Sequence, residues 1–469
     1  MGGGGDLESK PVVTDNQRQR LQAIAGEARH NLRLLGPLAL TQLASTAIGI
    51  TSVLYMGWSG TGALAAGTLA LHFFVFFNVF SGGLLTAASP LMAHSFGAAA
   101  PERAKQIAGQ NIVLASAVAL VGTLVTWHTS DFLTLMGQPP SIATQADAFA
   151  KANALSFLPA SLLLVLRNYA AAAGHPRFGL IAILLGISVN AVAGYGLMFG
   201  RFGLPELGLL GLGISVAGAN VLMFLFVFTM VQRLDTLRIH LSHLGVGDFT
   251  RQIVRLGWPM GLSGLGSVGT FVAATFIIAT MGGVQVAAHA IALQAQNVGF
   301  ALLWGGAQAT TIRMGWATGA GLQRETELAA WTGVATAMST ALLLCLIIAV
   351  FREPIIGLFL DETLPANRMT IAAAAAVMLA VAIYQLASGP MLVATSALRG
   401  LRDTKVPFLI SLAGYWLVGG VFATGLSIGA GLEARGIWYG LFGGVLIAAT
   451  TLFFRLRALL PRALELTAD

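Results

Sequence analysis

The sequence predicts an all-α integral membrane protein: twelve transmembrane helices in two six-helix lobes related by a pseudo-two-fold axis. Three observations carry this. Hydrophobic residues make up 56% of the 469-residue chain and charged residues only 10%, against roughly 25% charged in a soluble domain. The apolar residues fall in long runs, and a spanning helix needs about 20 of them. Fragments of the first half recur, in order, in the second.

The elements follow from the N-terminus. The opening stretch, MGGGGDLESKPVVTDNQRQR, is polar and lacks the apolar core of a cleavable signal. Residues 1–33 therefore read as a cytoplasmic tail. Apolar spans follow at 34–57, 62–92, 108–128, 148–167, 178–199 and 207–232, and residues 34–233 read as the N-terminal lobe. The longest connection, at 234–251 (LDTLRIHLSHLGVGDFTR), sits where a cytoplasmic linker between two lobes belongs. Spans at 252–280, 286–312, 328–351, 369–396, 408–428 and 435–455 complete the C-terminal lobe, 252–457, and 458–469 is a tail.

Charge sets the direction. With both termini cytoplasmic, the outer side holds only Lys151, Arg201, Arg352, Arg368 and Arg435 of the 26 Lys and Arg. That asymmetry is the positive-inside pattern of a multi-pass inner-membrane protein. It also accounts for the net charge of +7 without a nucleic-acid partner, because the basic residues are spread over short loops. The single Cys345 excludes an internal disulfide framework. No Walker pattern, Cys/His metal spacing or nucleophile triad is present, so the chain reads as a non-enzyme with no cofactor and no metal site. The 57 glycines suit close helix packing in lipid.

The repeats are specific. LGPLAL at Leu35 recurs as LGWPMGL at Leu256, which sets Pro37 opposite Pro259. LMAHSFGAAAPERAKQIA at Leu91 recurs as IRMGWATGAGLQRETELA at Ile312, and LRNYAAAAGHPRFGL and SALRGLRDTKVPFL occupy matching places. Two repeats of the same topology place a substrate site between the lobes.

The motifs PLMAHSFGAAAPERA, LRNYAAAAGHPR, GRFGLPELGLLGLG, VQVAAHAIALQ and ALRGLRDTKVPF, in this order, resemble the multidrug and toxic compound extrusion (MATE) transporters of the NorM-like kind. The resemblance runs from about Leu34 to Leu452. It implies two six-helix lobes around a cavity and export of organic compounds driven by sodium or proton entry. It also implies buried carboxylates, and there the sequence departs. Ser52 in TSVLYMG, Ser267, and Ser388 in YQLAS stand at the positions matched to the family's acids. No Asp or Glu falls inside a predicted span. A Ser hydroxyl supplies neither the charge that a desolvated sodium needs nor a proton near neutral pH.

Other groups are candidates for the missing role. His72, among Phe73, Phe74, Phe76, Phe77 and Phe80, is the titratable group nearest a span centre, and can be a proton carrier or a neutral hydrogen-bonding residue. Asn190 matches a polar position of the family. Gln294 and Asn297 share a helix face, as do Tyr384 and Ser388 beside Gln385. These uncharged groups suit a cavity for a polar organic molecule, or bridges between helices. The predicted function is a monomeric exporter of a small organic compound: a drug, a toxin, or a secreted metabolite such as a siderophore. Its cation coupling is atypical or absent, with H+ or Na+ left open. The alternatives are a lipid-linked saccharide flippase, against which stands the lack of Lys or Arg deep in the predicted spans, and a membrane sensor or enzyme using His72.

Overall fold

Apolar runs too long for a globular core become helices here, because backbone groups inside lipid can be satisfied only within a helix or a closed barrel. The computed structural model describes residues 15–467 except 136 and 138. The predicted tail segments 1–14 and 468–469 lie outside the described residues. The N-terminal lobe comprises α1 (Asp15–Trp58), α2 (Thr61–Thr86), α3 (Ala88–Gly97), α4 (Pro101–Trp127), α5 (Thr129–Leu135), α6 (Pro140–Ala154), α7 (Phe157–Ala172), α8 (Arg177–Phe199) and α9 (Gly208–Arg233). The C-terminal lobe comprises α10 (Asp248–Ala279), α11 (Gly283–Gly319), α12 (Gln323–Val350), α13 (Arg352–Gly357), α14 (Arg368–Gly400), α15 (Lys405–Leu412), α16 (Gly420–Thr424), α17 (Glu433–Leu459) and α18 (Ala463–Thr467). Among the described residues eleven helices are long and apolar enough to cross a membrane, or twelve when the bent pair α6–α7 is taken as one span.

Two interruptions have a proline cause. Pro159 has no N–H, and its ring clashes with the carbonyl four residues earlier, so the helix cannot run through Leu155. It breaks into α6 and α7, bent by 42°. At the break Ser156 donates twice to the Asn153 carbonyl, from Oγ at 2.6 Å and from its backbone N–H at 2.9 Å. Pro90 ends α2 at Thr86 in the same way. Between α15 and α17 the chain makes two π-helical stretches, Ala413–Gly419 and Gly425–Gly429, against a face of α17 that Gly440 and Gly444 keep free of side chains.

Residues 15–33 differ from the predicted tail: they are the first turns of α1. The physical reason is Glu27, which is buried and accepts from Arg313 of α11 at both oxygens, Nε to Oε1 at 2.8 Å and Nη2 to Oε2. Arg313 also lies over the Trp316 ring.

That ion pair belongs to a seam that joins the lobes at one end, the end carrying most of the Lys and Arg. Glycines set its closeness. A Cβ on Gly83 of α2 would lie 2.6 Å from Gly261 Cα of α10, one on Gly305 of α11 would lie 2.5 Å from Ala39 Cα of α1, and one on Gly315 would lie 2.6 Å from Ala93 Cβ of α3. Trp316 Nε1 donates across the seam to the Ala172 carbonyl at 2.7 Å. The N-lobe core therefore runs on into Ile253, Met260, Ala309 and Ile312 of the C-lobe, whereas the C-lobe's larger core stays within its own helices.

Toward the other end the seam parts. The α2–α10 contact holds as far as Val79 and Gly264. The next residues on the same faces, Phe76 on α2 and Val268 and Val272 on α10, are 61%, 36% and 46% exposed. Along α1 and α11, Ile50 and Val298 on the continuing faces are likewise exposed. The lobes form a V closed at the basic end.

Two tests follow from this seam. Gly261→Val should lower the thermal midpoint of the purified protein by several degrees, since overpacking costs about 1–3 kcal/mol. Gly218→Ala, whose added Cβ meets nothing within 4 Å, should leave it unchanged. Glu27→Gln removes the acid partner of the half-buried Arg313 guanidinium, at about 1–3 kcal/mol. Faster hydrogen exchange in α3 and in 313–319, with α14 unchanged, is the expected readout.

Candidate functional site

Where the seam parts, the facing helices enclose a cavity of about 330 Å³, within the range of small-molecule sites. Helical spacing decides which side chains reach it. On α14 the stripe is Tyr384, Ser388, Met391, Thr395 and Arg399, one or two per turn. On α10 it is Met260, Ser263, Ser267 and Phe271, and on α11 it is Gln296, Phe300, Trp304 and Gln308. The N-lobe adds Gln42, Asn78, Thr86 and Arg167. Tyr415, on the first π-helical stretch, completes the wall, its hydroxyl 3.4 Å from that of Tyr384.

The wall is aromatic and hydroxylic. Phe300 and Trp304 stack with ring centroids 5.7 Å apart. Ser388 Oγ donates to Gln385 Oε1 at 3.1 Å. Gln296 Oε1 is buried with no protein partner, so a ligand donor can satisfy it. Among the described residues no Asp or Glu lines the cavity, and no group of three or more metal-ligating side chains exists. A narrow extension of about 20 Å³ continues toward the seam between Thr86, Ser89, Ser396 and Arg399.

Of the candidates read from sequence, Ser267, Tyr384 and Ser388 are brought together on this wall. The others are not. Ser52 is buried in its own lobe, its Oγ bonded to the Ile48 carbonyl at 2.9 Å. Asn190 is fully buried between α8 and α9, where it accepts from Ser215 Oγ at 3.1 Å. Gln385 points from α14 to Gly299 of α11, which has no side chain in its way. Ser52 and Asn190 are interior to the N-lobe and Gln385 to the C-lobe, the last because one helical step from Tyr384 turns a side chain by about 100° away from the wall. His72, Gln294 and Asn297 are exposed on α2 and α11, beyond the point where the seams part. His72 Nδ1 lies 2.6 Å from the Thr68 carbonyl, one turn back.

Sequence reasoning also missed residues. Gln296 lies between the two polar residues chosen on α11. Arg167 and Arg399 correct the expectation of a cavity without basic side chains: α7 runs on to Ala172 and α14 to Gly400, so both arginines stay on helices whose faces turn inward. Each lies in one of the two segments that the repeat sets in matching places, LRNYAAAAGHPRFGL and SALRGLRDTKVPFL. His289 is fully engaged in packing, with Nε2 3.1 Å from Thr275 Oγ1 and Nδ1 accepting from Trp438 Nε1 at 3.2 Å. Trp438 is fully buried inside the C-lobe, against Phe271, His289 and Tyr384.

Comparison with known proteins agrees with this arrangement. The MatE family model matches residues 37–196 and 259–424, one stretch in each lobe. The chain is similar to the probable multidrug resistance protein NorM of Pseudomonas aeruginosa, 35% identical over 93% of this chain and 91% of that protein. It is also similar to that of Mesorhizobium japonicum, 32% identical over 92% and 93%. A crystal structure of MATE in complex with MaL6 superposes with a TM-score of 0.86 at 19% identity, covering 95% of this chain and 99% of that one.

The wall predicts which substitutions matter. Trp304→Ala should raise the half-saturating concentration of an aromatic ligand on the order of tenfold. Ser52→Ala and Gln294→Ala should leave it within about twofold, since neither side chain reaches the cavity. Equal effects in all three, measured by ligand titration of the purified protein, would place the ligand elsewhere.

Proposed function

The chain belongs to the MatE family, whose members are membrane transporters rather than enzymes, and from that premise we propose that it exports a small organic compound by alternating access. The observation that carries the reading is the V: one cavity between two lobes, sealed by a glycine seam at one end and parted at the other. Rocking the lobes about the cavity exchanges the sealed end for the open one. The basic end faces the cytoplasm in this reading, with both termini on that side and the chain in a bacterial inner membrane. The relatives named as multidrug resistance proteins support a drug or toxin as cargo. A secreted metabolite such as a siderophore fits the same wall of Ser, Thr, Gln and Tyr.

Coupling by a cavity carboxylate is not part of this proposal, because no carboxylate lines the cavity among the described residues. A dehydrated sodium ion needs anionic or several carbonyl oxygens. Proton coupling, if it operates, falls to His72, whose exposed ring lies beyond the parted seam. The flippase alternative gains one observation, the two cavity arginines, which can hold a phosphate.

Reconstituted vesicles test the exporter. Carboxyfluorescein, an anion, and ethidium, a cation, are offered under their own gradients, then against an imposed sodium or pH gradient. At least one dye should cross at a rate that depends on the protein, and a sodium gradient should not drive accumulation. If neither dye moves faster than through protein-free vesicles, the exporter reading fails. Sodium-driven uphill movement would refute the absence of sodium coupling. Loss of proton-driven movement in His72→Ala would assign the carrier.

A further inference from the structure

We propose that Arg167 and Arg399 form an anion clamp at the sealed end of the cavity, and that the cargo is an amphipathic organic anion rather than a cation. The inference rests on the exporter reading and adds the substrate's charge. Both arginines line the cavity, one from each lobe.

Neither guanidinium has an acid partner among the described residues. Three carboxylates of the same end are held by other cations: Asp403 by Arg455 at 2.6 Å, Glu102 by Lys105 at 2.8 Å, and Glu27 by Arg313. An arginine keeps its charge at physiological pH, and a charge withdrawn from water is costly unless an opposite charge meets it. Two such charges in one cavity attract anions and repel cations, and the low-dielectric wall strengthens both effects. The guanidinium fork also matches carboxylate, sulfonate and phosphate oxygens.

The site is built for these side chains. A Cβ on Gly179 would lie 2.6 Å from Arg167 Cγ, so the glycine leaves the space its stem occupies. Arg399 is placed one turn beyond Thr395, and Trp304 lines the same cavity and its extension. A planar aromatic body can stack on the Phe300–Trp304 pair while its acidic group reaches the arginines. The seam that closes below them stops the anion at this depth.

The same vesicles decide it, with the ratio of carboxyfluorescein to ethidium flux as the readout. The wild-type ratio should exceed about tenfold, Arg167→Lys and Arg399→Lys should keep most of it, and Arg167→Gln and Arg399→Gln should each lower it at least tenfold. A preference for ethidium in the wild type, or an unchanged ratio in both Gln variants, overturns the clamp and leaves the exporter intact. Movement of neither dye overturns both. Where a Gln variant is inactive toward both dyes, quenching of tryptophan fluorescence by carboxyfluorescein in detergent replaces flux. Binding lost in Gln and kept in Lys upholds the clamp, and wild-type binding in Gln overturns it. A further arm offers a fluorescent lipid phosphate: arginine-dependent movement of the lipid, with the dye unmoved, overturns a soluble cargo and assigns the clamp to a headgroup.

Discussion

The backbone-to-backbone seam between the lobes is the constraint on which the rest of the structure depends. Lipid tails are as apolar as leucine, so burying hydrophobic surface gives two membrane lobes little reason to associate. Close packing must do it. Gly83 against Gly261, Gly305 against Ala39, and Gly315 against Ala93 bring main chains within direct contact. The Glu27–Arg313 pair and the Trp316–Ala172 hydrogen bond add direction at the same end. Because all of these lie toward one end, the lobes are held as a V, and the space above the closed end is the cavity.

A seam of this kind suits a protein that must come apart and re-form. Van der Waals contact between glycines is broken without exposing large side chains, and its energy is spread over many small contacts. The ion pair is different: separated, both charges must be rehydrated, which is feasible when that end opens toward water. The interior of each lobe shows the opposite strategy. The Thr275–His289–Trp438 chain in one and the Tyr55–Ala191 and Asn190–Ser215 bonds in the other are buried and internal, so each lobe can move as a body.

The cavity then takes its character from what this closure leaves facing inward. No acid lines it among the described residues, and two arginines do. The serines at the positions matched to the family's acids do not form a single site. Ser267 and Ser388 share the wall while Ser52 is packed inside the other lobe, bonded to its own helix. Absence of the acids is thus one property of this chain, and the positive charge of the cavity floor is a second, set by different residues.

Composition and apolar run length determined the membrane class and the spanning helices, because the length of an apolar run answers to the thickness of the bilayer, and recurring motifs determined the twofold repeat. Pro90 and Pro159 lie inside the spans 62–92 and 148–167, which read as unbroken in the sequence; the breaks at α2–α3 and α6–α7 appear only in the structure, although a missing N–H acts locally. The start of α1 was not legible, because its polar first turns are held by Glu27 to an arginine 286 residues away. Nor was the wall of the cavity. A helix carries polar residues on every face, and His72, Gln294 and Asn297 look from the sequence as suitable as Gln296, Trp304, Arg167 and Arg399. Which face turns inward depends on where the two lobes touch and where they part, and only the packing of one lobe on the other decides that.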